Sequence, residues 1–174
     1  MTEANIILLM VKMLNKILVI CTGNICRSPM AEALFKAKLT TVPKDTVDHH
    51  HLALNKQQNH IVVSSAGIAP LVGSPAEPFA QELMLERGID ISKHRARKIT
   101  TKILLDADII FTMTAGQQKE LEGKLASICG RVHRLGELGG YDILDPYKRP
   151  KAAYEQSLLL IEQAVEDWCN KLWN

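Results

Sequence analysis

The sequence has little net charge, few cysteines and no long uninterrupted apolar run. A formal net charge of +2 over 174 residues is too small to suggest a nucleic-acid partner, which calls for a clustered positive field. Four cysteines do not make a disulfide scaffold in this length. Their spacing fits no zinc framework, so no metal and no cofactor is expected. A reducing, cytoplasmic setting suits such thiols. The N-terminal stretch ANIILLMVKMLNKILVI is broken by Lys12, Asn15 and Lys16. It is too interrupted to span a membrane and lacks the charge order of a signal peptide, so no membrane insertion is expected. Met13 is a candidate start. The expected organisation is one domain over 14–174, preceded by an extension over 1–13. There is no internal repeat.

An apolar content of 47% suits one domain with a real core. KILVI, residues 16–20, is a short β-branched run that predicts a buried strand. Residues 29–38 predict a helix, with Ser28 as N-cap and Pro29 at the first helical position. Residues 40–60 are polar and aperiodic and predict an exposed insertion. Its run Asp48, His49, His50, His51 reads as solvated rather than metal-binding, because adjacent side chains point different ways. IVVSSAG (61–67) and DIIFTM (108–113) predict strands, and RVHRL (131–135) a weak fourth. Helices are expected over 78–87, closed by Gly88, and over 102–105, 115–125 and 153–173. In the last of these, Leu158, Ile161, Val165, Trp168 and Leu172 share one face at the 3.6 period. Strands alternating with helices imply an α/β fold, a parallel sheet with helices on both faces.

The segment CTGNICRSP, residues 21–29, lies between the first strand and the first helix. Unpaired N–H groups and the dipole at a helix start both favour negative charge. Five residues between Cys21 and Arg27 let successive N–H groups turn inward as a nest. Gly23 permits unusual backbone angles, and Asn24 tolerates the left-handed region. Arg27 can grip two oxygens of a tetrahedral oxyanion. Cysteines placed beside such positive groups ionise more readily, and a thiolate beneath a bound phosphate is set for in-line attack. Ser28 can donate to the sulfur. A nucleotide-type phosphate loop would need a lysine followed by Ser or Thr after the glycines, and Arg27-Ser28 is not that.

VICTGNICRSPMAEAL resembles the active-site loop of the low-molecular-weight protein tyrosine phosphatases. DPY at 145–147 resembles the family's general-acid loop, in the expected place before the last helix, and SSAGI with GSPAEPFA, and GIDISKHRARKI, resemble its bacterial branch. The likeness extends over about residues 14–173. It implies a four-stranded parallel sheet flanked by helices, with the phosphate-binding loop between the first strand and the first helix. It implies Cys21 as nucleophile, Arg27 as phosphate clamp and Asp145 as general acid and base. The backbone of Thr22, Gly23, Asn24, Ile25 and Cys26 would cradle the phosphate, with Asn24 and Ser28 holding the loop and tuning the thiolate. Cys26 matches the second cysteine that can trap Cys21 as a reversible disulfide. Leu71 is the best candidate for an apolar cleft wall, and Tyr147 could flank the substrate ring. Phosphotyrosine proteins are the implied partners, among them a tyrosine kinase of polysaccharide export, with the chain itself a monomer or weak dimer.

Several neighbouring readings compete. Asp142 rivals Asp145 as acid but lacks the Pro-Tyr context and reads as a solvated loop carboxylate. His94 and His133 read as structural. An arginine-phosphate phosphatase tends to carry threonine where this chain has Ile25, whose apolar side chain suits a phenyl ring better. A thioredoxin-coupled arsenate reductase needs two more cysteines close together, whereas Cys129 and Cys169 are far apart in sequence. A phosphotyrosine-binding module would use Arg27 but leave Cys21 and Asp145 together unexplained.

Overall fold

The computed structural model describes residues 14–40 and 61–173. The expectations for the extension over 1–13 and for most of the insertion, with its histidine run, lie outside these residues. The apolar run at the start of the domain forms strand β1 (Lys16–Cys21), buried along all but its first residue. β2 (Val62–Gly67) pairs with one edge of β1 and β3 (Ile109–Thr112) with the other. β4 (Val132–Arg134) pairs with β3. All pairings are parallel and the strand order is β2-β1-β3-β4. A central parallel strand is covered on both faces, which is why β1 reads as continuous apolar sequence.

Side-chain alternation divides the core in two. Ile17 and Val19 point to the face covered by α1 (Arg27–Thr40), α2 (Pro78–Glu86) and α5 (Lys151–Trp173). Leu18 and Ile20 point to the other face, under α3 (Thr101–Asp106) and α4 (Ala115–Lys124). On the first face Phe35 stacks on Phe111 at 5.3 Å between ring centroids, and Phe111 meets Trp168 at 4.9 Å. The indole of Trp168 donates to the Leu135 carbonyl at 2.8 Å. The expected stripe on α5 is largely the buried one, with Leu158, Ile161, Val165 and Trp168 inside and Leu172 half-buried against the core.

Boundaries differ in instructive ways. Ser28 is not an N-cap. α1 already begins at Arg27, and the Ser28 hydroxyl is engaged by Cys21 and Asn24. The caps that do form are Thr100 on α3 and Thr114 on α4, accepting from Ile103 N and Gln117 N at 3.2 Å. α2 ends as expected before Gly88, which has a φ of 73°.

From β1 the chain moves to β2 on one side and then crosses to β3 on the other. The carboxyl end of β1 is therefore a switch point, where open α/β sheets bind ligands. Cys21 is its last residue. The loop after β1 is tied to the segment after β2 by Ile68 N to Cys21 O (3.0 Å), Ala69 N to Thr22 O (3.0 Å) and Leu71 N to Gly23 O (3.3 Å). Gly67 makes this approach possible. A Cβ there would lie 2.7 Å from the Thr22 carbonyl and 2.9 Å from Pro70. Gly67→Ala should therefore destabilise the fold by about 1–3 kcal/mol and lower any activity of the β1–α1 loop. A urea melt with the wild-type midpoint would show that the two segments can part without cost.

Candidate active site

Asn24 is fully buried, in the left-handed region with φ 54°. Its side-chain amide donates to Ser28 Oγ and Ser65 Oγ, each at 2.9 Å, and accepts from Arg97 N at 2.9 Å. Its backbone carbonyl lies 2.7 Å from His94 Nε2. A carbonyl only accepts, so Nε2 carries the proton. Its backbone N–H donates to Cys21 Sγ at 3.2 Å. Every polar group of this residue is thus occupied, and the turn of the loop is fixed from both sides.

Cys21 Sγ lies 2.9 Å from Ser28 Oγ. The Ser28 oxygen already accepts from Asn24, which leaves the hydroxyl proton free to point at the sulfur. The sulfur therefore sits among donors. Thr22, the first residue of the loop, is held by Gln117 of α4, whose Nε2 donates to Thr22 Oγ1 at 3.1 Å.

Arg27 is buried at the start of α1. Its Nη1 donates to the Ile143 carbonyl at 3.0 Å and its Nη2 pairs with the Asp145 carboxylate. Its Nε is the one buried side-chain donor without a hydrogen-bond partner among the described residues. Asp145 Oδ1 accepts from Tyr147 N at 3.2 Å. Ser157 of α5 holds the same segment by donating to the Leu144 carbonyl at 2.9 Å. The result is a cavity of about 170 Å³ lined by Cys21, Thr22, Gly23, Ile25, Cys26 and Arg27 from the loop, Ala69 and Leu71 from the segment after β2, and Asp145 and Tyr147 from the segment before α5. Leu71 and Tyr147 are exposed at its mouth, at 47% and 38%. Asn24 and Ser28 stand behind this wall as supports.

Asp142, expected as a solvated loop carboxylate, is instead half-buried and tied down. Its Oδ1 accepts from Arg134 Nη1 at 2.8 Å and from Ala115 N at 3.2 Å, at the first residue of α4. His94 and His133 have structural positions, His94 on the Asn24 carbonyl and His133 beside Glu137 and the Trp168 ring. Cys26 Sγ donates to Tyr154 Oη at 3.8 Å, and burial pushes its thiol up to about 12. Cys169 is also raised to about 12 by burial, whereas Cys129 is exposed. Neither of these two lines the cavity. No cluster of three or more His, Cys, Asp or Glu side chains fit for a metal ion occurs among the described residues. None of their helices is long and apolar enough to cross a membrane.

Ser65, Arg97 and Gln117 escape the sequence reading, and the role of His94 on the loop carbonyl is visible only in three dimensions. One signal was available. Serines in the buried strand IVVSSAG need partners, and Ser65 finds one in Asn24.

A family model described as low molecular weight phosphotyrosine protein phosphatase matches residues 16–174. The chain is 39% identical over 160 residues to the probable low molecular weight protein-tyrosine-phosphatase EpsP of Ralstonia nicotianae, covering 92% of this chain and 97% of that one. Among solved structures, Vibrio vulnificus Wzb in complex with benzylphosphonate aligns with a TM-score of 0.76 at 32% identity, over 91% of this chain and 99% of that one. The YwlE arginine phosphatase of Geobacillus stearothermophilus aligns with a TM-score of 0.75 at 27% identity, over 91% and 92% of the two chains.

The support by Asn24 can be divided experimentally. Asn24→Ala removes three side-chain hydrogen bonds and keeps the left-handed strain, so urea unfolding should register a loss of about 2–4 kcal/mol. Asn24→Gly removes the same bonds but relieves the strain, and should lose about 1 kcal/mol less. Equal losses would mean that the backbone angle is not under strain.

Proposed function

The chain belongs to the low molecular weight phosphotyrosine protein phosphatase family, and on that premise we propose that it hydrolyses phosphotyrosine in proteins through a cysteinyl-phosphate on Cys21. One observation carries this reading. A thiol, a guanidinium with an unpartnered buried Nε and a carboxylate, drawn from two distant parts of the chain, line a single cavity.

In this mechanism the phosphate enters the nest of N–H groups from Thr22 to Arg27, and its oxygens take up the Arg27 donors. Asp145 is then released from the guanidinium, takes up a proton from solvent and turns to the ester oxygen. The Cys21 thiolate attacks phosphorus in line. As the bond from phosphorus to the phenol oxygen breaks, Asp145 donates its proton to that oxygen. The need is real, because a phenol with a pKa of about 10 leaves poorly as its anion near neutral pH. Asp145, now a carboxylate, takes a proton from water, whose oxygen attacks phosphorus. The P–S bond breaks, inorganic phosphate leaves, and the Ser28 hydroxyl stabilises the departing thiolate. Arg27 and the N–H groups bear the equatorial charge throughout.

Ile25 favours an aryl leaving group over the guanidinium of phosphoarginine. It lines the cavity with carbon, where a guanidinium would need acceptors. Against the arsenate-reductase reading, Cys129 and Cys169 do not share the cavity with Cys21. Against a mere phosphotyrosine-binding module stands the cost of keeping a thiol and a carboxylate that such a module does not use. The proposed substrates are tyrosine-phosphorylated proteins of the cytoplasm, such as a tyrosine kinase of polysaccharide export. Peroxide would convert the Cys21 thiolate to the sulfenic acid, and the Cys26 thiol would then condense with it, releasing water and closing a disulfide.

Cys21→Ser should abolish turnover of phosphotyrosine peptides while still retaining them, because the donors of the loop remain. Turnover near the wild-type rate would rule out the covalent route. Asp145→Asn should slow phosphotyrosine hydrolysis by a factor on the order of 10²–10⁴, and should slow nitrophenyl phosphate less, since nitrophenol needs no proton to leave. Equal losses on both substrates would remove Asp145 from the role of acid. Asp142→Asn should instead lower the unfolding midpoint with little effect on either substrate.

Redox protection has its own assay. Cys26→Ser should remain active but recover poorly when thiol is added after peroxide. Recovery equal to the wild type would dismiss Cys26 as the resolving thiol.

A further inference from the structure

The turn that carries Tyr147 also carries two cations that the chemistry above does not use. Arg149 N donates to the Pro146 carbonyl at 2.9 Å and closes a four-residue turn over 146–149. Lys148, the third residue of that turn, has φ 60°. Apart from Asn24 it is the one non-glycine residue with positive φ among the described residues. That position in a turn favours glycine or asparagine. A long cationic side chain held there, at the rim of a cleft, is an outlier of the kind that points to function.

The surrounding charges sharpen the point. Asp145 is paired with Arg27, and Asp142 with Arg134. Lys151, just beyond the turn, is shared between Glu82 and Glu86. Lys148 and Arg149 are exposed, and among the described residues no carboxylate lies within ion-pair distance of either. Lys148 Nζ sits 5.4 Å from the centroid of the Tyr147 ring, and Tyr147 lines the cavity with Cys21. The segment after β2, which brings Leu71 to the cavity, is uncharged over 68–76 and exposes Leu71 and Val72. The cleft mouth is therefore asymmetric, positive on the side of the 146–149 turn and greasy on the other.

We propose that Lys148 and Arg149 form an anion subsite at the rim of the cleft, and that the preferred substrate is a phosphotyrosine flanked by acidic side chains. This inference rests on the phosphotyrosine reading and deepens it. The phosphotyrosyl ring enters between Leu71 and Tyr147, and the peptide then leaves the cleft across the basic turn. An adjacent carboxylate or a second phosphate meets Lys148 and Arg149 there. Being solvent-exposed, the contacts are weak singly and screened by salt. They select among phosphotyrosines without competing with Arg27 for the reacting phosphate.

The test compares kcat/KM for three synthetic phosphotyrosine peptides: one flanked by Asp and Glu, one by Ser and Ala, and one by a second phosphotyrosine. Nitrophenyl phosphate serves as reference. The wild type should favour either charged peptide over the neutral one by about 3- to 20-fold at low salt. The preference should shrink as ionic strength rises. In the double variant Lys148→Gln, Arg149→Gln, the preference should fall to near unity while the neutral peptide is still hydrolysed. Preference for one charged peptide alone identifies the source of the anion and supports the subsite. Equal turnover of all three peptides by the wild type, or a preference that survives in the double variant, overturns it. Loss of nitrophenyl phosphate hydrolysis by the wild type would instead overturn the phosphatase reading beneath it.

Discussion

Asn24 holds a left-handed turn at the carboxyl end of the central strand, and its buried amide is what keeps the turn there. Two donors go to Ser28 and Ser65, and one acceptor takes Arg97 N. A left-handed backbone at a residue other than glycine costs about 1–2 kcal/mol, so the loop keeps this shape only because the bonds around it outweigh that cost. The consequences spread from this point. The Asn24 N–H is turned onto Cys21 Sγ. The Ser28 oxygen is occupied by Asn24, which frees its proton for the same sulfur. A loop so constrained presents its donors before any ligand arrives, and this preorganisation is the main electrostatic device available to an enzyme that moves phosphoryl groups.

The second constraint is the link between Arg27 and the segment before α5. Arg27 lies 118 residues from Asp145, yet its two terminal nitrogens reach the Ile143 carbonyl and the Asp145 carboxylate. Ser157 fixes the Leu144 carbonyl between them. The segment 143–145 is thus tied to the β1–α1 loop by the guanidinium and to the body of the domain by α5. In the proposed mechanism a substrate phosphate and Asp145 would compete for the same donor. Filling the loop and freeing the carboxylate would then be one event, which would couple the proposed acid to occupancy without a moving domain.

The architecture was legible because the pattern of the chain is coherent. β1 is apolar on both faces, α5 has a clear stripe, and the loop between β1 and α1 combines residues that have little reason to occur together except around an oxyanion. Cys21, Arg27 and Asp145 stand out in the sequence, and the fold brings the three to one cavity. The supports do not stand out. Ser65, His94 and Arg97 come from segments 41 to 73 residues away from Asn24 in sequence, and nothing local marks a strand serine or a loop histidine as the partner of a distant amide. Ser28 shows the reverse case. Its local context announces a helix cap, but a buried sulfur and a buried amide claim its hydroxyl, and α1 starts without it. Asp142 follows the same rule. A carboxylate in a polar loop looks solvated until Arg134 and the start of α4 are seen beside it.

The division of labour between sheet and loops explains how one scaffold can keep its chemistry while its substrates change. Cys21, Asn24, Arg27 and Ser28 are each bound into the sheet, into α1 or into one another, and a change at any of them propagates through buried contacts. The residues at the mouth are held far less tightly. Leu71 and Val72 are exposed on a connection between β2 and α2, and Tyr147, Lys148 and Arg149 are exposed on a four-residue turn. Substitution there costs little stability, since exposed side chains away from caps and buried networks usually change it by less than about 0.5 kcal/mol. On the proposed function, selection among phosphoproteins would be free to act on the mouth alone. The left-handed lysine fits that logic. Its strain lies on an exposed turn where the fold can tolerate it, beside the Tyr147 ring.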